Sequence, residues 1–385
     1  DLPMIPYELF PMDIYKLVRF PKCNLTDFCF PLMSARGCTF KCTFCYRMDP
    51  GYRKRDPELL LDEIEYLYRN YGINRISFQD DLLMSSIEHT EEVCKAFLKR
   101  NLPVTWDCYG RLNYCSKELL QLMKDAGCVF IFYGVESMDQ KVLNNMKKGL
   151  RPEMITSGIE QTLEVGISPG FGFIFGNRDD NKETLQKSVD FLLKYDDFSE
   201  KRTIRPVTPY PGSPLYDDAI ASGLLDKNNA AEDFYENKHL NSDLLCCNFT
   251  DMTDKEFYDA LKDANKQLMV NHYDRQKEST LQQIDHLYDN LDATFRGFRH
   301  GTGRADHSAP SEGYNKTNWE NTKSSDADAA RFTQSNEVEK TQQKSIKSFD
   351  RYVAAKKKRA EEKLLRAKRI QESKKNKEKN ISLVT

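Results

Sequence analysis

No apolar run in this chain approaches the roughly 20 residues that cross a bilayer as a helix, which excludes a transmembrane helix. A signal peptide is not expected, and the 11 cysteines show no regular pairing. Both absences argue against a secreted disulfide framework and fit a reducing cytosol. Histidine is scarce, 6 in 385 residues, and His300 and His307 show no ligand spacing. An initiator methionine is missing, and the start at Asp1 leads to the expectation of a trimmed chain with a domain upstream.

What is present is charge, 30% of the residues, with a net balance of −2. That balance hides a division. Residues 340–379 hold 16 Lys and Arg against 5 Asp and Glu, which leaves 41 basic and 54 acidic residues elsewhere. The body is acidic and the tail basic.

The densest chemistry is Cys38-Thr39-Phe40-Lys41-Cys42-Thr43-Phe44-Cys45, in a loop opened by Ser34-Ala35-Arg36-Gly37. Thiolates select zinc, copper(I) or iron–sulfur clusters. A closed zinc site wants four ligands, usually as two pairs, and no partner pair stands nearby. A cubane cluster normally takes four cysteines. With three, one iron keeps an open position where a substrate or cofactor binds. Cys23 and Cys29 read as further ligands or as small buried thiols; Cys246-Cys247 is an adjacent pair with the same bland reading.

A strand–helix alternation runs from residue 30 to about 225. Strands are predicted at 30–34, 74–79, 103–109, 128–134, 168–175 and 202–208, each short, apolar or β-branched. Asp56-Pro57-Glu58 signals a helix start and Gly72 its end. Ser116 caps a helix closed by Gly127, and further helices are predicted at 152–165, 181–195 and 213–222. Such alternation makes an α/β parallel sheet of right-handed units, here a partial (β/α)6 TIM-like barrel. Active sites on such sheets gather at the C-terminal strand ends, and the cysteine loop follows the first strand. Residues 1–29, rich in proline, read as an extended lead-in strapped over this 30–225 core. Residues 226–300 read as a helical extension, with long patterns over 251–298. Residues 301–345 cannot bury enough apolar surface to order themselves, and 346–385 read as a basic helical tail. RNA is a weak partner for it, because Phe349 and Tyr352 are its only aromatics.

Other strand ends carry polar groups. Gln79-Asp80-Asp81 offers acceptors to an ammonium group, or forms a turn and helix cap. Arg111 ends the third strand and suits a carboxylate, or a surface ion pair. Gly134-Val135-Glu136-Ser137 delivers a carboxylate and a hydroxyl to the rim. Gly170-Phe171-Gly172-Phe173-Ile174-Phe175-Gly176 allows close backbone approach. Thr208-Pro209-Tyr210-Pro211-Gly212-Ser213 stiffens a turn, which either shapes the substrate side of a cavity or is purely structural.

The three-cysteine motif, with Phe44 before its last thiol, resembles the radical S-adenosylmethionine (SAM) enzymes. Gly134–Ser137 and Leu2-Pro3-Met4-Ile5-Pro6-Tyr7 are similar to the branch associated with cobalamin-binding domains, and the likeness covers residues 1 to about 225. It implies a [4Fe–4S] cluster on Cys38, Cys42 and Cys45, SAM on the open iron, and a 5′-deoxyadenosyl radical after reductive cleavage. It further implies SAM contacts from Phe44, Asp80, Asp81, Arg111, Glu136 and Ser137, with Gly172, Ile174 and Gly176 along the adenine. Family members usually continue with Pro-Gly-Glu-Thr; this chain has Asn177–Thr184 instead, longer and more polar. The implied activity is radical methyl transfer with a corrinoid on a domain outside this chain, with cyclisation or methylthiolation next. The cobalamin loop Asp-x-His-x-x-Gly does not occur here. An external electron donor and a small-molecule or peptide substrate are implied too. A non-enzymatic iron–sulfur or zinc module tethering partners through the tail is the reading from another class. No residue is assigned to the radical chemistry itself.

Overall fold

Six parallel strands form one curled sheet, a half-barrel, in the spatial order Cys29–Leu32, Arg75–Phe78, Thr105–Gly110, Cys128–Glu136, Ser168–Phe175 and Arg205–Pro206. The computed structural model describes residues 4–21, 23–24, 26–46 and 51–290. The lead-in is not extended: it makes a 3-10 turn, Tyr7–Leu9, and a short helix α1 (Met12–Tyr15). Tyr7 and Met12 are buried in the main core, so this segment is an integral part of it. Then come β1 (Cys29–Leu32), β2 (Ala35–Gly37), β3 (Tyr52–Lys54), α2 (Pro57–Tyr71), β4 (Arg75–Phe78), α3 (Ile87–Arg100) and β5 (Thr105–Gly110). The second half holds α4 (Lys117–Asp125), β6 (Cys128–Glu136), α5 (Gln140–Asn145), α6 (Pro152–Glu164), β7 (Ser168–Phe175), α7 (Lys182–Tyr195), β8 (Arg205–Pro206) and α8 (Pro214–Ala221). Helices α9 (Ala230–Asn237) and α10 (Asp254–Asn290) complete the described residues. The expected linker 301–345 and basic tail 346–385 lie outside them. Among the described residues no helix is long and apolar enough to cross a membrane.

The helix boundaries follow capping chemistry. Asp56 accepts from the N–H groups of Glu58 and Leu59, and Gly72 ends α2 at φ 68°. Ser116 and Ser213 cap α4 and α8, and Asn181 with Thr184 builds a reciprocal capping box on α7. The α3 helix went unpredicted, although Ser86 caps it and Asn101 closes it in the left-handed region. The predicted strand 202–208 shrinks to two residues. Arg202 is buried against Asp196, Asp197 and Glu200, which holds the chain off the sheet. Pro206 and Pro209 each remove a ladder donor.

Alternation along the strands sorts the two faces. Phe78 and Trp106 point outward, where Trp106 stacks on Phe97 of α3 at 5.5 Å. Phe171 and Phe173 reach Phe191 of α7, and Phe175 stacks on Phe257 of α10 at 4.8 Å. Helix α10 thus packs on the outer wall. Each fully buried large apolar side chain contributes about 1.5–3 kcal/mol. The alternate residues Ser77, Asp107, Tyr109, Phe132, Gly134 and Gly172 line the inner face. There Asp107 accepts from the Ser77 hydroxyl at 2.6 Å, and Tyr109 meets Phe132 edge-on at 5.5 Å.

Candidate functional site

The cysteine loop leaves the top of β1 and is bracketed by an antiparallel ribbon, β2 with β3. The sequence places Ser34–Gly37 at the opening of the cysteine loop; pairing with Tyr52–Lys54 makes residues 35–37 a strand. Asp80, at the end of β4, holds the entry. Its Oδ1 accepts from the N–H groups of Ser34 (2.6 Å) and Ala35 (3.1 Å), and its Oδ2 accepts from the Ser34 hydroxyl. Asp81 accepts from Gly37 N–H at 3.0 Å. Burial pushes the Asp80 carboxyl up to about 6, against the pull of those hydrogen bonds. The expectation that these carboxylates meet an ammonium group changes accordingly. Asp80 is 3% exposed with both oxygens spent on the loop, and Asp81 spends one.

Two helix ends and one strand end clamp the loop from the far side. Thr43 N–H donates to Met146 C=O at 3.0 Å, and Leu215 N–H donates to Thr43 C=O at 2.9 Å. Arg111, at the end of β5, is buried with its guanidinium 3.4 Å over the Phe40 ring. It donates to Asn113 at 2.7 Å, to Lys148 C=O, and to the Cys42 sulfur at 3.8 Å. The predicted carboxylate clamp is therefore engaged with the loop itself. Cys42 is buried, while Cys38 and Cys45 are half-buried. Burial pushes the Cys45 thiol up to about 11; the neighbouring Cys42 and Cys38 add to the rise and Lys148 opposes it. All three sulfurs thus share one electrostatic neighbourhood.

Glu136 ends β6 with φ 73°, an unusual angle for a side chain of its size. Its Oε1 accepts from the Lys148 ammonium at 2.8 Å, with both side chains about nine-tenths buried. Gly134 leaves the room: a Cβ there would sit 2.5 Å from Glu136 Oε1 and 2.9 Å from Lys148 Nζ. Lys148 also lies 5.7 Å from the Phe44 ring centroid. Phe44 and Ile174 pack on one small apolar cluster around Val207 and Leu215. Gly172 pairs with Gly134 across the sheet and lies under the Phe132 ring.

Two predicted contacts do not reach this group. Ser137 is buried and accepts from Asp139 N–H at 3.1 Å, which makes it a turn residue. Gly176 has φ 104°, and a Cβ on it would come within 2.8 Å of Phe257 on the outer wall. Its glycine serves α10 packing. The sequence reading missed Lys148, Phe40, Asn113 and the Met146 carbonyl. Met146-Lys147-Lys148-Gly149 carries no signal beyond a turn glycine at φ 67°.

The donor set suits a polynuclear cluster with an open corner. Among the described residues, no three His, Cys, Asp or Glu side chains converge closely enough for a single metal ion. A cubane spreads its thiolates over separate irons, so its ligands stand further apart than those of one ion.

The radical SAM superfamily model matches residues 32–192. A Pyrococcus horikoshii protein named as an uncharacterized methyltransferase is 28% identical over 228 residues, 58% of this chain and 48% of that protein. The bacteriochlorophyllide d C-12(1)-methyltransferase of Chlorobaculum tepidum is 26% identical over 252 residues, 62% of this chain and 54% of that enzyme. The chain therefore spans about half the length of these relatives. Among solved structures, the radical SAM methyltransferase TsrM of Kitasatospora setae superposes with a TM-score of 0.45 at 20% identity, covering 50% of this chain and 36% of that one. The family model is thus laid over the residues that carry the three thiols and most of the parallel half-barrel, and over that stretch the chain is similar to the radical SAM superfamily.

Proposed function

We propose that the chain is the radical SAM portion of an enzyme that functionalises an unreactive carbon, most often by methyl transfer. The observation that carries this reading is the loop of Cys38, Cys42 and Cys45 at the C-terminal strand ends, a loop with no fourth cysteine in its own sequence. When bound there, a [4Fe–4S] cluster with SAM at the open iron supplies the reductive cleavage of a SAM carbon–sulfur bond, and with it a radical able to abstract hydrogen.

The chain's own residues then have separable tasks. Asp80 and Asp81 hold the loop entry, and Arg111 holds its middle from beside Cys42. Lys148 places a buried cation near the thiolates and the Phe44 ring, where it offsets negative charge. Glu136 balances that cation and presents a second carboxylate oxygen at the rim. Gly172 and Ile174 offer a flat wall for an adenine, and Tyr109 and Phe132 face the substrate space and exclude water from it. The corrinoid partner domain belongs to this proposal through the likeness of Leu2–Tyr7 and Gly134–Ser137 to that branch. A reducing compartment suits the 11 free thiols.

The test is anaerobic reconstitution with iron and sulfide, followed by SAM and dithionite. The expected result is a brown protein with about four irons per chain that forms 5′-deoxyadenosine. Cys42→Ala is expected to keep its fold and form none. A colourless protein holding stoichiometric zinc and inert to SAM would overturn the reading. Cyclisation is favoured over methyl transfer if the product gains a ring rather than a methyl group, an outcome kept open by a 30% identical magnesium-protoporphyrin IX monomethyl ester cyclase of Cereibacter sphaeroides.

A further inference from the structure

A second pair of thiols lies at the opposite end of the barrel from the cysteine loop. Cys23 sits in the lead-in and Cys29 opens β1, and their sulfurs are 3.0 Å apart. That is closer than two unbonded sulfurs usually rest and about 1 Å longer than a disulfide. We propose that Cys23 and Cys29 are a redox-active dithiol that closes reversibly, by exchange with a small-molecule disulfide, into a bond fastening the lead-in to β1.

The backbone around the pair is already organised for closure. Asp27 accepts from Asn24 N–H at 2.6 Å and from the Asn74 amide at 3.2 Å. Cys29 N–H donates to Lys16 C=O at 3.0 Å. These bonds hold Asp27 and Cys29 in place beside Cys23.

The two thiols are unequal. Cys29 is fully buried and Cys23 is half-buried. Phe20 N–H donates to the Cys23 sulfur at 3.4 Å. Arg75, fully buried, gives one nitrogen to Pro21 C=O and Asp107, while its Nε and Nη1 have no hydrogen-bond partner. A guanidinium with unspent donors in a buried site favours a nearby anion. The Cys29 thiol, then the Phe20 N–H and last Arg75 draw the Cys23 thiol below its ordinary value, against its burial. Cys23 is therefore the attacking sulfur and Cys29 the resolving one. Cys23 thiolate displaces one thiolate from the disulfide reagent and forms a mixed disulfide. Cys29 gives up its proton and displaces the second. Two protein thiols are oxidised by two electrons, and the reagent leaves as two thiols.

The pair lies outside the cluster motif and the residues holding it, so the inference does not depend on the activity proposed above. Its test uses the full chain in glutathione buffers of increasing oxidising ratio, quenched with acid, alkylated and digested with trypsin. Cleavage after Lys22 and Arg36 frees one peptide that contains Cys23, Cys29 and no other cysteine. The expected product is that peptide lighter by two hydrogens, unalkylated, and restored by dithiothreitol. Cys29→Ser is expected to trap one glutathione on Cys23, and Cys23→Ser to leave Cys29 free of it. A wild-type peptide that stays fully alkylated after the loop cysteines have oxidised, that takes up two glutathiones, or that cross-links to another peptide would overturn the proposal. Because the wild-type measurement stands alone, a misfolded variant does not rescue it.

Discussion

Asp180 shows how a single buried carboxylate ties a loop to a pH response. It accepts N–H bonds from Gly176 and Asn177 and the hydroxyl of Thr184, and burial pushes its carboxyl up from 3.8 to about 6. Between those values the folded chain holds a proton that the unfolded chain has released. Stability from this group is therefore greatest below pH ~4 and declines as pH rises through about 6, by up to about 3 kcal/mol. Asp180→Asn keeps a hydrogen-bonding partner for the same groups without the charge. Urea midpoints from pH 4 to 7 are expected to fall less steeply in the variant than in the wild type. Equal slopes would show that another group carries the dependence. Arg111 makes a second prediction. Its planar fork bonds in three directions and stacks on Phe40, which a lysine cannot copy. Arg111→Lys is expected to fold yet retain several-fold less iron after reconstitution; iron content equal to the wild type would remove its bracing role.

At the scale of elements, α10 and β7 meet through Phe175, Phe257 and Gly176. Phe257 is fully buried, and Phe257→Ala is expected to cost about 3–5 kcal/mol in chemical unfolding. Gly176→Ala is strained twice, by φ 104° and by the 2.8 Å approach to the Phe257 ring. Only the second cost involves Phe257. In a Phe257→Leu background the Gly176→Ala penalty is thus expected to shrink, a coupling that a double-mutant cycle measures directly. Strict additivity would mean that backbone strain alone accounts for the glycine. The same element shows why Gly176 is ambiguous in sequence: a glycine between apolar residues at a strand end looks the same whether a ligand or an aromatic ring approaches it.

Across the whole molecule, the cysteine loop is held from the ends of β4 and β5, by Met146 after α5 and by the first turn of α8, so filling it ties together distant parts of the chain. Iron–sulfur reconstitution is expected to raise the melting temperature of the wild type by several degrees and leave Cys38→Ala unchanged, since a group bound by the folded state alone stabilises that state. A scan in which both shift alike would detach the loop from global stability.

Local chemistry wrote much of this protein into its sequence. Asp56-Pro57 and Gly72 delimit α2, five of the six barrel strands fall within two residues of their expected ends, and the Cys38–Cys45 spacing singles out a three-thiol loop; each is a matter of neighbours within a few positions. Only the tertiary structure decided where the side chains at the rim spend their hydrogen bonds. Asp80 turns onto Ser34, Arg111 onto Cys42 and Phe40, and Lys148, which has no distinguishing context of its own, arrives beside Glu136 and Phe44. The physical reason is range: a cap or a turn is settled by backbone groups three or four residues away, whereas a buried charge must find its partner among strands that meet only once the sheet has curled.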